Sequence, residues 1–112
     1  MNNTMYFNVG GKRISSPPNS QELHDIILKL PQQDDPFIIF GNDDSFIQCS
    51  VLQDGKYYIE YKQNNRLYKA QDASLTTADI VRAFAAFING NRLDAINIKW
   101  QAGQNVSRAD IS

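Results

Sequence analysis

The stretch Pro36–Ala70, PFIIFGNDDSFIQCSVLQDGKYYIEYKQNNRLYKA, decides the fold. Phe37 to Phe40 is a run of large apolar residues, short enough for a strand and read here as buried on both faces. Gly41-Asn42-Asp43-Asp44 has the chemistry of a turn: glycine supplies positive φ, and Asn and Asp side chains bond their own backbone. A second strand runs from Phe46 to Leu52, and Gln53-Asp54-Gly55-Lys56 reverses it, with Asp-Gly at the centre of a hairpin. Tyr57 to Lys62 alternates cleanly. Tyr57, Ile59 and Tyr61 fall on one side, Tyr58, Glu60 and Lys62 on the other. Gln63-Asn64-Asn65 turns the chain into Arg66 to Ala70. The expectation is an antiparallel meander of four strands.

A helix flanks the meander on each side. In the first, Asn19 or Ser20 can cap, and Glu22 completes a capping box with Asn19. Leu23, Ile26, Ile27 and Leu30 make one apolar stripe, and Pro31 stops it. In the second, Thr76 caps with Asp79, and Ile80, Phe84, Phe87 and Ile88 form the apolar face. Asn89-Gly90 supplies its left-handed stop. Before the first helix, Met5, Phe7 and Val9 read as a strand, Gly10-Gly11 as a turn and Lys12 to Ser15 as a short partner strand ended by Pro17-Pro18. After the second helix, a last strand carries Ile96, Ile98 and Trp100 on one side and Asn97 and Lys99 on the other. The expected fold is a single α+β domain over residues 1–100, with 101–112 as a mobile tail. Its antiparallel sheet has about five to six strands, with two helices packed on one face. The other face is expected to be wet, with Gln48, Ser50, Tyr58, Glu60, Lys69, Asn97 and Lys99 on it.

Composition limits the function. The chain has 112 residues, 11 basic and 12 acidic, for a formal charge of −1. A basic nucleic-acid binder would show an excess of Lys and Arg, so no nucleic-acid partner is expected. No apolar run reaches the about 18 residues of a membrane span, and the first residues lack the regions of a secretory signal. A cytoplasmic protein without a membrane partner is expected. Cys49 and His24 are the single cysteine and histidine, which excludes an internal disulfide and a multi-cysteine zinc site. Cys49 falls on the apolar side of its strand with Ile47 and Val51, as a core thiol does, so a Cys–His catalytic pair is disfavoured. Gly10-Gly11-Lys12 lacks P-loop spacing, no stretch matches a calcium loop, and no metal or cofactor is expected.

What remains points to binding. Asp34-Asp35 precedes the Phe37 strand and Asp43-Asp44 follows it, so the two pairs sit at opposite ends, roughly 15–20 Å apart. Asp54 belongs with Asp34 and Asp35, since turns of a meander alternate ends. Aspartates are ordinary turn residues. Held on rigid strand ends, they also suit a basic partner, whose association they would speed and whose register they would fix. Glu60, beside Tyr58, is expected to bond a neighbouring strand. An exposed edge strand allows a monomer or a weak dimer.

From Phe37 to Trp100 the chain resembles the first-numbered immunity-protein family of bacterial polymorphic toxin systems, which includes antidotes of contact-dependent growth inhibition. The resemblance rests on Phe46-Ile47-Gln48, the hairpin into Tyr57-Tyr58-Ile59-Glu60-Tyr61, the helix Ala78 to Ile88 ending at Asn89-Gly90, and the closing Trp100. Leu93 and Gln101 stand where many members carry an aromatic and an acidic residue. The resemblance implies a protein without catalysis of its own that binds and neutralises one cognate secreted toxin domain, a nuclease or deaminase. The candidate partner-binding residues are Asp34, Asp35, Asp43, Asp44, Tyr58 and Glu60. A small-molecule-binding or regulatory domain is the alternative, marked by a deep apolar cavity. A small enzyme using Glu60, Tyr58 and His24 is a third reading, marked by a strongly shifted carboxylate in a closed cleft.

Overall fold

The computed structural model describes residues 5–14, 18–42, 44–71, 75–93 and 98–102. The elements, in chain order, are β1 (Tyr6–Val9), β2 (Lys12–Ile14), α1 (Ser20–Lys29), a 3-10 turn (Leu30–Gln32), β3 (Phe37–Gly41), β4 (Phe46–Val51), β5 (Tyr57–Gln63), β6 (Arg66–Ala70), α2 (Thr77–Ile88) and β7 (Trp100–Ala102). All strand pairs are antiparallel, and the strands form one sheet in the order β2-β1-β3-β4-β5-β6-β7. The α+β architecture is as expected, but the sheet has seven strands rather than five to six. The extra width comes from the N-terminal hairpin: β1 pairs with β3 across the long α1 connection, and β2 adds a three-residue edge.

Local chemistry sets both helices. The Asn19 side chain accepts from the Glu22 amide at 2.8 Å, and the Glu22 carboxylate accepts from the Asn19 amide at 2.9 Å. Thr76 and Asp79 repeat the arrangement at the start of α2, at 3.2 and 2.9 Å. Each box satisfies two amides that a helix start leaves without partners. At the far end of α2, Gly90 takes φ +75° and the Asn91 amide reaches back to the Ala86 carbonyl at 2.8 Å, the left-handed stop the sequence implies.

Both helices lie on one face of the sheet. Leu23, Ile27 and Leu30 from α1 and its following turn, and Ile80, Ala83, Phe84 and Phe87 from α2, share one core with Phe7, Ile38, Phe40, Ile47, Cys49, Ile59 and Tyr61. Tyr57 ties the layers together: its hydroxyl donates to the Ile27 carbonyl at 2.8 Å and lies 3.2 Å from Thr77 Oγ1. Trp100 stands edge-on to Tyr61, which stacks on Tyr68, and its indole N–H donates to the Leu93 carbonyl at 3.1 Å.

Two boundaries differ from the sequence reading. β3 is buried on the helix side only: Ile38 and Phe40 are buried, whereas Phe37 and Ile39 are half-buried on the open side. Both helices occupy the same face, so none of the described elements covers these two. The last strand comes later than expected, at Trp100–Ala102, with Gln101 opposite Lys69 and Ala102 opposite Tyr68. Gln101 and Ala102 therefore belong to the sheet, not to a tail. Ile96, Asn97 and residues 103–112 lie outside the described residues, as does Asp43.

Candidate functional site

Strand register places the candidate residues. Val51 lies opposite Tyr57 across the Asp54-Gly55 hairpin, so Gln48 lies opposite Glu60 and Ser50 opposite Tyr58. Lys69 is the next residue along from Glu60. Gln48, Ser50, Tyr58, Glu60 and Lys69 thus share the open face, as expected, while Lys99 is exposed just before β7. On that face the Glu60 carboxylate is held from two directions. Tyr58 donates its hydroxyl to Glu60 Oε1 at 2.8 Å, and Gln48 donates its side-chain amide to Glu60 Oε2. Among the described residues, no Lys or Arg side chain closes on this carboxylate in an ion pair. Burial first, then the hydrogen bond to Glu60 and its charge, raise the Tyr58 pKa above its ordinary value. Tyr58 is therefore a neutral donor near neutral pH.

Sequence reasoning found Glu60 and Tyr58 but not Gln48 as the second donor. The local signal points one register away: a two-residue Asp54-Gly55 turn would put Gln48 opposite Tyr61. Instead the Leu52 amide donates to the Lys56 carbonyl and Gly55 takes φ +84°, so the loop holds three residues, Gln53 to Gly55, and Gln48 meets Glu60. The apolar share of the open face was missed as well. Phe37, Ile39, Phe46 and Leu67 are all half-buried on it. So is Tyr6, with the Arg13 guanidinium 4.8 Å over its ring.

The acidic turns fall at the two ends of the sheet. Phe37 pairs with Ser50 at the end where Asp34, Asp35 and Asp54 are all exposed. The Gly10 turn is at that end too, its amide donating to the Phe37 carbonyl at 2.7 Å. Lys12 and Lys56 are exposed nearby, and Lys99 is exposed farther across the sheet at the same end, where its carbonyl accepts from the Gln71 amide. Asp44 is at the opposite end, in a turn organised by Asn42, whose Oδ1 accepts from the Asp44 and Ser45 amides, each at 2.9 Å. A Cβ on Gly41 there would come within 2.2 Å of the Ser45 carbonyl oxygen, so the close return of the chain requires glycine. Asp44, Ser45, Gln63, Asn64 and Asn65 line a shallow polar groove of about 420 Å³ between this turn and the β5–β6 turn. Asn64 and Asn65 both take positive φ, at 53° and 67°. The structure thus divides the candidate set among two ends and one face.

Cys49 and His24 do not meet chemically. Cys49 is fully buried, burial pushes its thiol up to about 12, and its Sγ contacts the Ser50 carbonyl oxygen at 3.8 Å. A neutral buried thiol is a poor nucleophile. His24 is half-buried on α1, with Nδ1 3.8 Å from Asp25 Oδ1. Among the described residues, no three His, Cys, Asp or Glu side chains gather as metal ligands, and no helix is long and apolar enough to cross a membrane. No family model, curated protein or solved structure matches the chain.

Proposed function

We propose that the chain is an immunity protein: it binds a cognate secreted bacterial toxin domain, a nuclease or deaminase, and blocks its active site or substrate surface. The reading joins the family resemblance of residues 37–100 to one observation. Asp34, Asp35 and Asp54 stand exposed at one end of a rigid sheet, where Asp34 and Asp35 make no side-chain hydrogen bond or ion pair with any described residue. A nuclease must attract phosphates, so its site is electropositive. Carboxylates carried on the turns that flank the strands complement such a surface. The groove between the opposite turns is open and polar and is not itself a deep apolar small-molecule pocket.

On this reading the gene immediately upstream encodes a large secreted protein with a variable C-terminal toxin domain, and the chain co-purifies with that domain. Asp34→Lys/Asp35→Lys should slow association by roughly tenfold or more at low salt and flatten its salt dependence, with the circular dichroism spectrum unchanged. Equal association rates and salt slopes for wild type and variant would remove the acidic end from the interface. Full survival of the producer after deletion of the gene would end the inhibitor reading itself.

A further inference from the structure

The geometry points to a second copy of this chain as the partner of the open sheet face, packed face to face about a two-fold axis along β3. The register fixes where each open-face residue stands. A middle row crosses every strand from β2 to β7 as Arg13, Asn8, Ile39, Gln48, Glu60, Lys69 and Gln101. Tyr6, Gly41 and Phe46 form a row to one side, and Phe37 begins a row on the other.

A two-fold axis along β3 reverses the order of strands and keeps the rows. β2 then faces β5 of the second copy, and β1 faces β4. In the middle row Ile39 meets Ile39, Asn8 meets Gln48, and Arg13 meets Glu60. In the flanking rows Phe37 meets Phe37 and Tyr6 meets Phe46. Apolar residues fall on apolar residues, and the one carboxylate of the middle row falls on a guanidinium, each unlike contact occurring twice by symmetry.

The single copy is prepared for this. Gln48 and Tyr58 hold Glu60, and among the described residues no Lys or Arg closes on it in an ion pair, the Lys69 opposite it included. Arg13 is exposed and held over Tyr6, on the same face. Asn8 Oδ1 is buried without a hydrogen-bond partner. Gln48 spends one amide proton on Glu60 and keeps a second, which a turn of the Asn8 amide would bring into reach. Aligned sheets cross at roughly 30° and interleave their side chains. That rotation leaves Ile39 on Ile39 and shifts Arg13 along the strands by about 5 Å relative to Glu60, a span the long arginine side chain bridges, so Ile39 anchors the contact and the Arg13–Glu60 pair flanks it. The overlap covers β2 to β5, roughly 24 Å across strands and about 17 Å along them. That lies at the small end of specific interfaces, which implies a weak, concentration-dependent dimer. The sheet edges are poorer candidates: β2 and β7 are three residues each, and β2 carries exposed Lys12 and Arg13.

Sedimentation equilibrium of the full chain, from about 10 μM to about 1 mM to span the weak range, tests this. The wild type should show a reversible monomer–dimer equilibrium. Arg13→Glu, an exposed edge substitution that leaves the fold intact, should weaken dimerisation about tenfold or more, and Glu60→Arg likewise. The double variant Arg13→Glu/Glu60→Arg should recover most of the affinity, and Ile39→Arg should abolish it. A wild type that stays monomeric throughout, a dimer indifferent to Arg13→Glu and Ile39→Arg, or a double variant no better than Arg13→Glu would each overturn the proposal. These readouts do not involve the toxin, so they stand apart from the inhibitor reading.

Discussion

The two faces of the sheet are made by alternate residues of the same strands, yet they obey different rules. On the helix side Ile38, Ile47, Cys49 and Ile59 are all at 0% exposure, and the centre of the face is apolar. One residue along, the open side mixes Phe37, Ile39 and Phe46 with Gln48, Ser50 and Glu60, mostly half-buried. The covered face stores the stability of the fold. The open face retains groups that can be spent on another molecule, and its apolar share is larger than solubility alone would ask of a wet sheet.

The largest predicted effect tests that division directly. Phe84→Ala removes a fully buried ring from α2, where the sheet and α1 converge, and should cost about 3–5 kcal/mol in urea unfolding. Phe46→Ala, on the open face at the edge of the β3–β4 turn, should cost no more than about 1 kcal/mol in dilute protein, since its ring is already partly in water. Comparable losses at the two positions would mean that the open face is packed in the monomer after all.

How legible was this division? The meander, both capping boxes and the alternation of Tyr57 to Lys62 were readable because each rests on local chemistry: a turn dipeptide, a cap, a period of two. Phe37–Phe40 misled because a run of four apolar residues looks the same whether one face or both are covered; only the placement of the helices decides. The last strand slipped because Ile96, Ile98 and Trp100 alternate like a strand, while the sheet pairing that is made runs from Trp100 to Ala102. The six candidate partner residues were legible as types. Their division between two ends and one face was legible from the alternation of turns and strand residues, whereas the pairing of Gln48 with Glu60 needed the register.

A second, intermediate effect follows from Cys49, in the covered face. Burial holds its thiol neutral, raising its pKa from 9.0 to about 12, while the unfolded chain ionises it near the ordinary value. Above that value the unfolded state has lost a proton that the folded state keeps. Stability therefore falls as pH rises from about 9 toward 12, and the contribution is intact below pH 9. Denaturation midpoints measured at pH 8, 9 and 10 should decline more steeply for the wild type than for Cys49→Ala. An aromatic disulfide reagent at pH 8 should label Cys49 only as fast as the protein opens. Rapid labelling of the folded protein would show that the core face is not closed.

The finest comparison lies in two adjacent tyrosines. Tyr57 points to the helices and spends its hydroxyl on the Ile27 carbonyl, beside Thr77, where sheet and both helices meet. Tyr58 points to the open face and spends its hydroxyl on Glu60. The two Phe substitutions delete the same oxygen, so any difference between them reports the face. Tyr57→Phe should lose about 1 kcal/mol, because a part-buried hydrogen bond between sheet and helix is removed, while the Ile27 carbonyl keeps the Leu30 amide as its other donor. Tyr58→Phe should lose about 0.5 kcal/mol or less, because water can replace the donor and Gln48 still holds the carboxylate. Its cost should appear elsewhere. A Glu60 freed on one side is a looser anchor, so Tyr58→Phe should weaken self-association a few-fold while leaving the unfolding midpoint nearly in place. The reverse ranking of the two tyrosines in unfolding would mean that the open-face cluster is structural, and that the partner surface must be sought at the acidic end alone.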